Sequence, residues 1–196
     1  MPRLARVIVP GFPHYLTQHA RAGQTLFPAE NDYRLYLDLT VKNSRRYGVR
    51  LLGFCLLPNR IGWVAIPNDD RGLALAFGRA HSEYAQASGR KMWRDRFDSR
   101  ALDYALGWRA VLYIERWPVS NGLVEMAEQW RWSSAATHIG QPGPIELDLD
   151  GWRALFNGET WETILEVGLG EDGLAQRLKR KDVRTALRPA AAVAPA

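Results

Sequence analysis

The chain has 196 residues, of which 46% are hydrophobic and 11% aromatic, so it can bury a sizeable core and is not a wholly disordered polypeptide. Its net charge of +5 favours a polyanionic partner without identifying one. No run approaches the roughly 18–20 apolar residues of a membrane span, no signal peptide is recognisable, and the single cysteine excludes an intrachain disulfide, so a cytoplasmic protein is expected.

The first half of the chain predicts a strand, a helix and then two strands. Mixed polar and apolar residues favour a strand over Phe12–His19, and apolar residues spaced three and four apart predict a helix over Asn31–Tyr47. Gly48 lies where a helix C-terminal cap is expected. Two short apolar runs follow, separated by a proline–asparagine turn, and they predict the strands Val49–Leu57 and Ile61–Ile66.

The next segments continue the alternation of strands and helices. They predict a helix over Arg71–Ala87, a strand over Arg96–Leu102 and a helix over Asp103–Arg116, which must end before the proline that follows. The first six elements match a ferredoxin-like split βαβ pattern, so we expect an α+β fold, a four-stranded antiparallel sheet with helices on one face. One or two C-terminal helices are expected within Phe156–Leu187.

Three regions are expected along the chain: a folded domain at 1–140, a helical basic C-terminal extension at 141–188 and a disordered tail at 189–196. Basic charge is concentrated near both ends. No acidic residue precedes Glu30, and near the other end one acid accompanies six cations, Arg177, Lys179, Arg180, Lys181, Arg184 and Arg188. The extension therefore either binds DNA or forms a well-solvated end.

Four segments, in order, resemble one protein family. They are GFPHYLTQHA, LLGFCLLPNRIGWVAI, VLYIERWPVSNGLV and WRWSSAATHIG, and they fall within residues 1–140. The second is similar to a segment with the pattern Pro-Asn-His-hydrophobic-His, the third to Tyr-Ile-His-x-Asn-Pro-Val-x-Ala-Gly-Leu-Val, and the fourth to Trp-Ser-Ser-x-x-x-Tyr. On these motifs the chain resembles the REP-associated tyrosine transposases, which belong to the HUH-type single-tyrosine transposases.

The resemblance implies DNA cleavage and strand transfer by a tyrosine hydroxyl, with Mg²⁺ or Mn²⁺ at the scissile phosphate. Tyr113 stands at the nucleophile position. The family's metal ligands would be two strand histidines and an amide four residues after the tyrosine, but Arg60, Gly62 and Trp117 stand at those positions. None of the three offers a lone pair to a metal, so we expect no metal cofactor. Tyr113 is then either a vestigial nucleophile or a packed aromatic residue.

Several cations stand where they could hold DNA without a metal. Arg60 would attract a backbone phosphate with its permanent charge, and two arginines share the helical face of Tyr113. The stretch 90–97 interleaves cations with aromatics, as single-strand-binding surfaces do, although a solvated turn with Trp93 and Phe97 in the core is the alternative. The N-terminal arm adds two arginines. The expected DNA contacts are Arg3, Arg6, Arg60, Lys91, Trp93, Arg94, Arg96, Arg109 and Arg116.

These observations lead to three alternative functions. The leading hypothesis is a catalytically impaired DNA-binding protein of the transposase family, which binds single-stranded or hairpin DNA as a monomer or a homodimer. The second is an active transposase or nickase that uses Tyr113 in DNA transposition. The third is a protein–protein interaction module without a nucleic-acid role. A DNA-binding protein should lose affinity steeply as salt rises, whereas an interaction module should not.

Overall fold

The computed structural model describes residues 7–156 and 160–168. Its sheet has four antiparallel strands in the order β2-β3-β1-β4, with the bounds β1 (His14–His19), β2 (Val49–Leu57), β3 (Arg60–Pro67) and β4 (Asp98–Ala101). The helices are α1 (Glu30–Arg46), α2 (Gly72–Ser88), α3 (Tyr104–Glu115), α4 (Trp117–Ser120), α5 (Ala135–His138), α6 (Leu149–Leu155) and α7 (Trp161–Val167), with a 3-10 turn at Ala127–Gln129. The predicted α+β fold is confirmed, and its strand order is that of a ferredoxin-like split βαβ unit.

Several of the predicted segments lie outside the described residues. They are the N-terminal arm with Arg3 and Arg6, the basic segment at 177–188 and the tail at 189–196.

The last strand is shorter than the sequence predicts. The pattern favours a strand over Arg96–Leu102, whereas β4 forms ladder pairs only over Asp98–Ala101. Just before β4, the side-chain amide of Gln18 donates a hydrogen bond to the backbone carbonyl of Asp95. A side chain thus takes the place of a ladder partner, and the chain between 93 and 97 runs beside β1 as an irregular segment.

Helices α1 and α2 pack together on one face of the sheet, which is the arrangement the split βαβ pattern predicts. Their apolar faces meet the sheet in a core rich in aromatic rings, with Tyr36, Phe54, Trp63, Phe77 and Tyr84 completely or almost completely buried. Rings of this size supply much of the apolar area that a domain of this length removes from water. Apolar periodicity predicts these two helices, and the split βαβ pattern predicts the face of the sheet on which they pack.

The opposite face of the sheet is covered by α3 together with α6 and α7, whose placement the sequence pattern did not predict. Close approach of α3 depends on a glycine, because a Cβ added to Gly53 of β2 would lie only 2.8 Å from Cγ1 of Val111. The later helices contribute four buried apolar side chains to this second core, Trp152, Leu155, Trp161 and Leu165.

The outer edge of β2 is covered by the segment 132–134. Leu56 donates its N–H to the carbonyl of Trp132 at 2.9 Å, and Ser134 donates its N–H to the carbonyl of Phe54 at 2.9 Å. The Ser134 hydroxyl oxygen also accepts from the N–H of Phe54 at 2.8 Å. An uncovered edge strand invites pairing with other chains, so the Trp-Ser-Ser segment protects the sheet.

Across residues 7–156 and 160–168, none of the helices combines the length and the apolarity that a membrane crossing requires.

Candidate nucleic-acid interface

Four residues from separate parts of the chain meet on the α3 side of the sheet. Arg60 and Gly62 are two apart on β3 and therefore share a face, Tyr113 lies in α3, and Trp117 begins α4. The Cζ atom of Arg60 lies 4.1 Å from the centroid of the Trp117 ring, in a cation–π contact. The Tyr113 and Trp117 ring centroids are 5.8 Å apart, and the two rings are nearly perpendicular at 83°.

The Trp117 ring fills the space that a side chain at position 62 would need. A Cβ added to Gly62 would lie 2.6 Å from Cη2 and 2.8 Å from Cζ3 of Trp117, and 2.9 Å from Cγ2 of Ile114. Nonbonded carbon atoms pack best at about 3.5–4.0 Å. Trp117 is only 3% exposed, so surrounding groups hold the ring in place. A histidine at position 62 is incompatible with this packing.

The arrangement does not fit a divalent metal ion. The three positions offer a guanidinium, no side chain and an indole, so none of them has a side-chain lone pair for Mg²⁺ or Mn²⁺. Within the part of the chain that the structure describes, no group of three or more His, Cys, Asp or Glu side chains could hold a metal ion. No metal-dependent step is therefore assigned to these residues.

Three of the four histidines are engaged elsewhere. The ring nitrogens of His14 bond to neighbouring backbone groups at 2.8 and 3.2 Å. His81 shares a hydrogen bond of 3.0 Å with the hydroxyl of Tyr36, and Nδ1 of His138 lies 2.6 Å from a carboxylate oxygen of Glu115. These histidines stabilise different parts of the interior, so they do not replace the missing ligands.

The fourth histidine, His19, lies opposite Arg60 in the pairing of β1 with β3. Its carbonyl accepts a hydrogen bond from the N–H of Arg94 at 3.0 Å. Burial lowers the pKa of His19, the positive charges of Arg94 and Arg60 lower it further, and Asp98 acts in the opposite direction. Two guanidiniums thus act on one half-buried imidazole, which indicates a positive local potential.

Tyr15 connects Tyr113 to the sheet. Their ring centroids are 6.4 Å apart in an edge-to-face arrangement. Burial raises the pKa of the Tyr15 phenol well above its ordinary value, the neighbouring Tyr113 phenol raises it further, and Arg60 lowers it. Tyr113 is half-buried. The two phenols and the guanidinium therefore share one electrostatic environment beside Trp117.

Part of this sheet face is left partly exposed, because α3 packs mainly on β2 and β3. We call it the open sheet surface and define it by Thr17 and His19 of β1, Arg60 of β3, and Asp98 and Arg100 of β4. Strand pairing places these side chains on one face, and all are half-buried except Asp98, which is exposed. Strand alternation could have grouped Thr17 with His19, but it could not show which face a helix leaves uncovered.

Comparisons with known proteins show which fold this is. No family model matches the chain, and no curated protein matches it. The structure is similar to that of a REP-associated tyrosine transposase solved in complex with a REP hairpin, with a TM-score of 0.64 and 19% sequence identity. The match covers 82% of this chain and 96% of the transposase chain. This chain has that transposase's fold.

The two arginines predicted beside Tyr113 have different contacts in the structure. The Arg109 guanidinium carbon lies 5.2 Å from the centroid of the Trp108 ring. The Arg116 guanidinium donates hydrogen bonds to the backbone carbonyls of Leu165 and Glu166 at the end of α7. These hydrogen bonds commit the Arg116 guanidinium to α7.

The cation-rich stretch at 90–97 is divided between interior and surface. Trp93 is half-buried, its indole N–H donates to the carbonyl of His81 at 3.0 Å, and Phe97 is buried. Lys91, Arg94 and Arg96 are exposed, and Arg94 lies 3.6 Å from Asp95 in a surface ion pair. The aromatic residues of this stretch therefore anchor it to the core, Arg90 donates hydrogen bonds to the carbonyls of Thr25 and Leu26, and the other three cations face solvent.

The interior of this protein also contains a buried carboxylate, Glu115, which the sequence analysis did not identify. Glu115 is completely buried on α3. One oxygen accepts hydrogen bonds from the Ser134 hydroxyl and from Nδ1 of His138, and the other accepts from the Trp161 indole N–H at 2.9 Å. The sequence contained one sign of this buried acid: Glu115 follows an apolar run, at a position where the family motif has histidine. Glu115 ties α3 to α5 and α7 behind the candidate interface.

Proposed function

We propose that this chain is a REP-associated tyrosine transposase that binds single-stranded or hairpin DNA and has lost metal-dependent strand cleavage. One observation carries the proposal: the Arg60 guanidinium lies over Trp117 beside Tyr113, where the family's motif would place a metal ligand. The fold it shares with a transposase solved bound to a REP hairpin supports the choice of DNA as partner.

Arg60 has the properties that a phosphate contact requires. Its charge is permanent, and its planar N–H groups match the oxygens of a phosphate. Stacking on Trp117 orders the guanidinium, while the N–H groups stay in the guanidinium plane and remain able to donate. A phosphate bound by Arg60 would lie beside Tyr113, which is where the family motif places the phosphate that the tyrosine attacks.

The surroundings of Arg60 extend the positive charge along the open sheet surface. Arg100 belongs to this surface, and Arg94 acts on His19 from the adjoining segment. The guanidiniums of Arg60 and Arg94, which both act on the half-buried His19 imidazole, suit a chain of phosphates better than a neutral ligand. We therefore infer that the DNA backbone follows this surface past Arg60.

Replacing Arg60 with alanine is expected to weaken DNA binding about 10- to 100-fold, because a charge-assisted phosphate contact contributes about 1.5–3 kcal/mol. The dependence of log affinity on log salt should become shallower by about one unit. Fluorescence anisotropy with a labelled DNA hairpin that carries a single-stranded overhang, titrated at several salt concentrations, measures both quantities.

Arg34→Ala is the matched control. Arg34 is an exposed arginine of α1, on the opposite side of the sheet, and it pairs with Glu30 at 4.0 Å. It should leave affinity and salt slope unchanged. If Arg60→Ala behaves in the same way, the role of Arg60 is wrong. If the unaltered protein shows no salt-dependent binding, the DNA-binding proposal fails and an interaction module is favoured.

An active enzyme that uses Tyr113 is the second candidate, and the half-buried position of Tyr113 beside Arg60 favours considering it. We expect no covalent protein–DNA adduct when the protein is incubated with hairpin DNA and Mg²⁺ or Mn²⁺, because the described residues contain no cluster of His, Cys, Asp or Glu that could hold the metal. Denaturing gel electrophoresis of labelled DNA detects such an adduct. An adduct that needs the metal and disappears in Tyr113→Phe would establish the active enzyme instead.

A further inference from the structure

A cleft of about 460 Å³ lies between α2 and the irregular segment that precedes β4. It is separate from the Arg60 site, because it lies on the α2 side of the sheet and the Arg60 site lies on the α3 side. Its volume is within the range of roughly 300–1,000 Å³ that is usual for small-ligand sites. The cleft is therefore large enough to receive a planar group.

One wall of the cleft is a face of α2 that carries small residues. Gly78 and Ser82, four residues apart, line it together with two alanines. A Cβ added to Gly78 would meet no atom within 4 Å, so the space beside this glycine is open. A ligand could approach the helix closely here.

The other wall combines an aromatic ring with a cation. Trp93 and Phe97 line it, and Arg96 is an exposed residue at the same cleft. The Trp93 indole is held in place by its hydrogen bond to the carbonyl of His81 at 3.0 Å. A fixed ring and a guanidinium are groups that bind an unpaired nucleobase and its phosphate.

The cleft also adjoins the proposed DNA surface. The segment that forms its wall pairs with the end of β1, where Trp93 forms an isolated bridge with Ala20 and the N–H of Arg94 donates to the carbonyl of His19. His19 belongs to the open sheet surface. Exposed Lys91, Arg94 and Arg96 lie along this edge with a single acid among them, Asp95, so a single strand that crosses it would meet a net positive charge.

We propose that the cleft receives one unpaired base of the bound single strand, stacked against Trp93 while its phosphate contacts Arg96. The proposal rests on the proposed function, because it assigns a base-binding subsite to the same DNA. Stacking on an aromatic ring tolerates any base, so the cleft increases affinity for single strands without selecting a sequence.

The test fills the cleft and compares two probes. Gly78→Leu extends a side chain into the open space, and Ser82→Leu does so from an exposed position, so that one variant remains if the other misfolds. Ala87→Leu is the matched control, because it introduces the same side chain at an exposed position of α2 that does not line the cleft. The probes are a single-stranded oligothymidine and an abasic oligomer with the same backbone and length, and anisotropy titrations give their affinities.

The unaltered protein and Ala87→Leu should bind the oligothymidine about 10-fold more tightly than the abasic oligomer. Gly78→Leu and Ser82→Leu should abolish this difference while they bind the abasic oligomer normally. Arg60→Ala should weaken binding to both probes. If a folded leucine variant keeps the preference for bases, the cleft proposal is overturned although the DNA function stands. If the unaltered protein binds neither probe, the proposed function itself fails.

Discussion

Trp117→Ala is expected to lower the free energy of unfolding by about 3–5 kcal/mol, because it removes a large buried ring and leaves a cavity. The ring is 3% exposed and contacts Arg60, Tyr113 and the backbone at Gly62. Within the described residues, the Trp117 indole nitrogen has no hydrogen-bond partner. Loss of that unpaired donor offsets part of the penalty, which places the expected value near the lower end of the range. Urea denaturation followed by far-ultraviolet circular dichroism measures it.

The same packing predicts strong coupling between Trp117 and Gly62. On its own, Gly62→Ala should cost about 1–3 kcal/mol, since its Cβ would lie 2.6 Å from the Trp117 ring. In a Trp117→Ala background the clash with the ring is absent and only the contact with Ile114 Cγ2 at 2.9 Å remains, so the added cost should be clearly smaller. Gly78→Ala serves as the control, because its Cβ meets nothing within 4 Å. Additive effects of the two substitutions would show that the ring does not occupy the space above Gly62.

Glu115→Ala is expected to lower the free energy of unfolding by a similar amount, about 3–5 kcal/mol. The substitution removes the acceptor of the His138 ring and of the Trp161 indole. It also removes one of two acceptors of the Ser134 hydroxyl, which keeps the Phe54 carbonyl at 3.2 Å. Each uncompensated donor costs about 1–3 kcal/mol, and structural relaxation recovers part of that sum. Urea denaturation monitored by tryptophan fluorescence is suited to this variant, because Trp161 carries one of the three donors.

A second variant separates charge from volume at this position. Glu115→Gln keeps the size of the side chain but has a single acceptor oxygen. Its amide nitrogen, which donates, replaces the other oxygen and faces the donors that this oxygen had accepted from. It should therefore recover only part of the lost stability. The control is Glu146→Ala, which breaks an exposed pair with Arg45 and should change stability by at most about 1 kcal/mol. If Glu115→Ala is no more destabilising than this control, the hydrogen bonds of Glu115 do not contribute measurably to the free energy of unfolding.

The order of strands and helices was predictable because it depends on interactions between residues close together in the chain. Apolar spacing marked the helices, and turn residues separated them from the strands. Gly48 illustrates the point: it was expected to end the first helix, and the structure gives it a φ of +61°, the left-handed conformation that glycine adopts most readily. Helices α1 and α2 needed no further information, because in a split βαβ unit they pack on one face.

Contacts across the second face could not be predicted in this way. The burial of Glu115 depends on α5 and α7 packing against α3, and the position of Trp93 depends on where an irregular segment meets β1. The uncovered part of the sheet depends on how α3 lies across β2 and β3. Such contacts join residues far apart in the chain, and they are set by register and helix placement rather than by local spacing.

The amino-acid sequence by itself determined which chemical groups stand at positions 60, 62 and 117, because the capacity of the arginine, glycine and tryptophan side chains to bind a metal is a property of each residue. Only the tertiary structure decided that these groups meet, and that a tryptophan ring lies in the space that the glycine leaves open. The physical reason is steric: β3 and the end of α3 come together only when the sheet is assembled, and two side chains cannot occupy one volume.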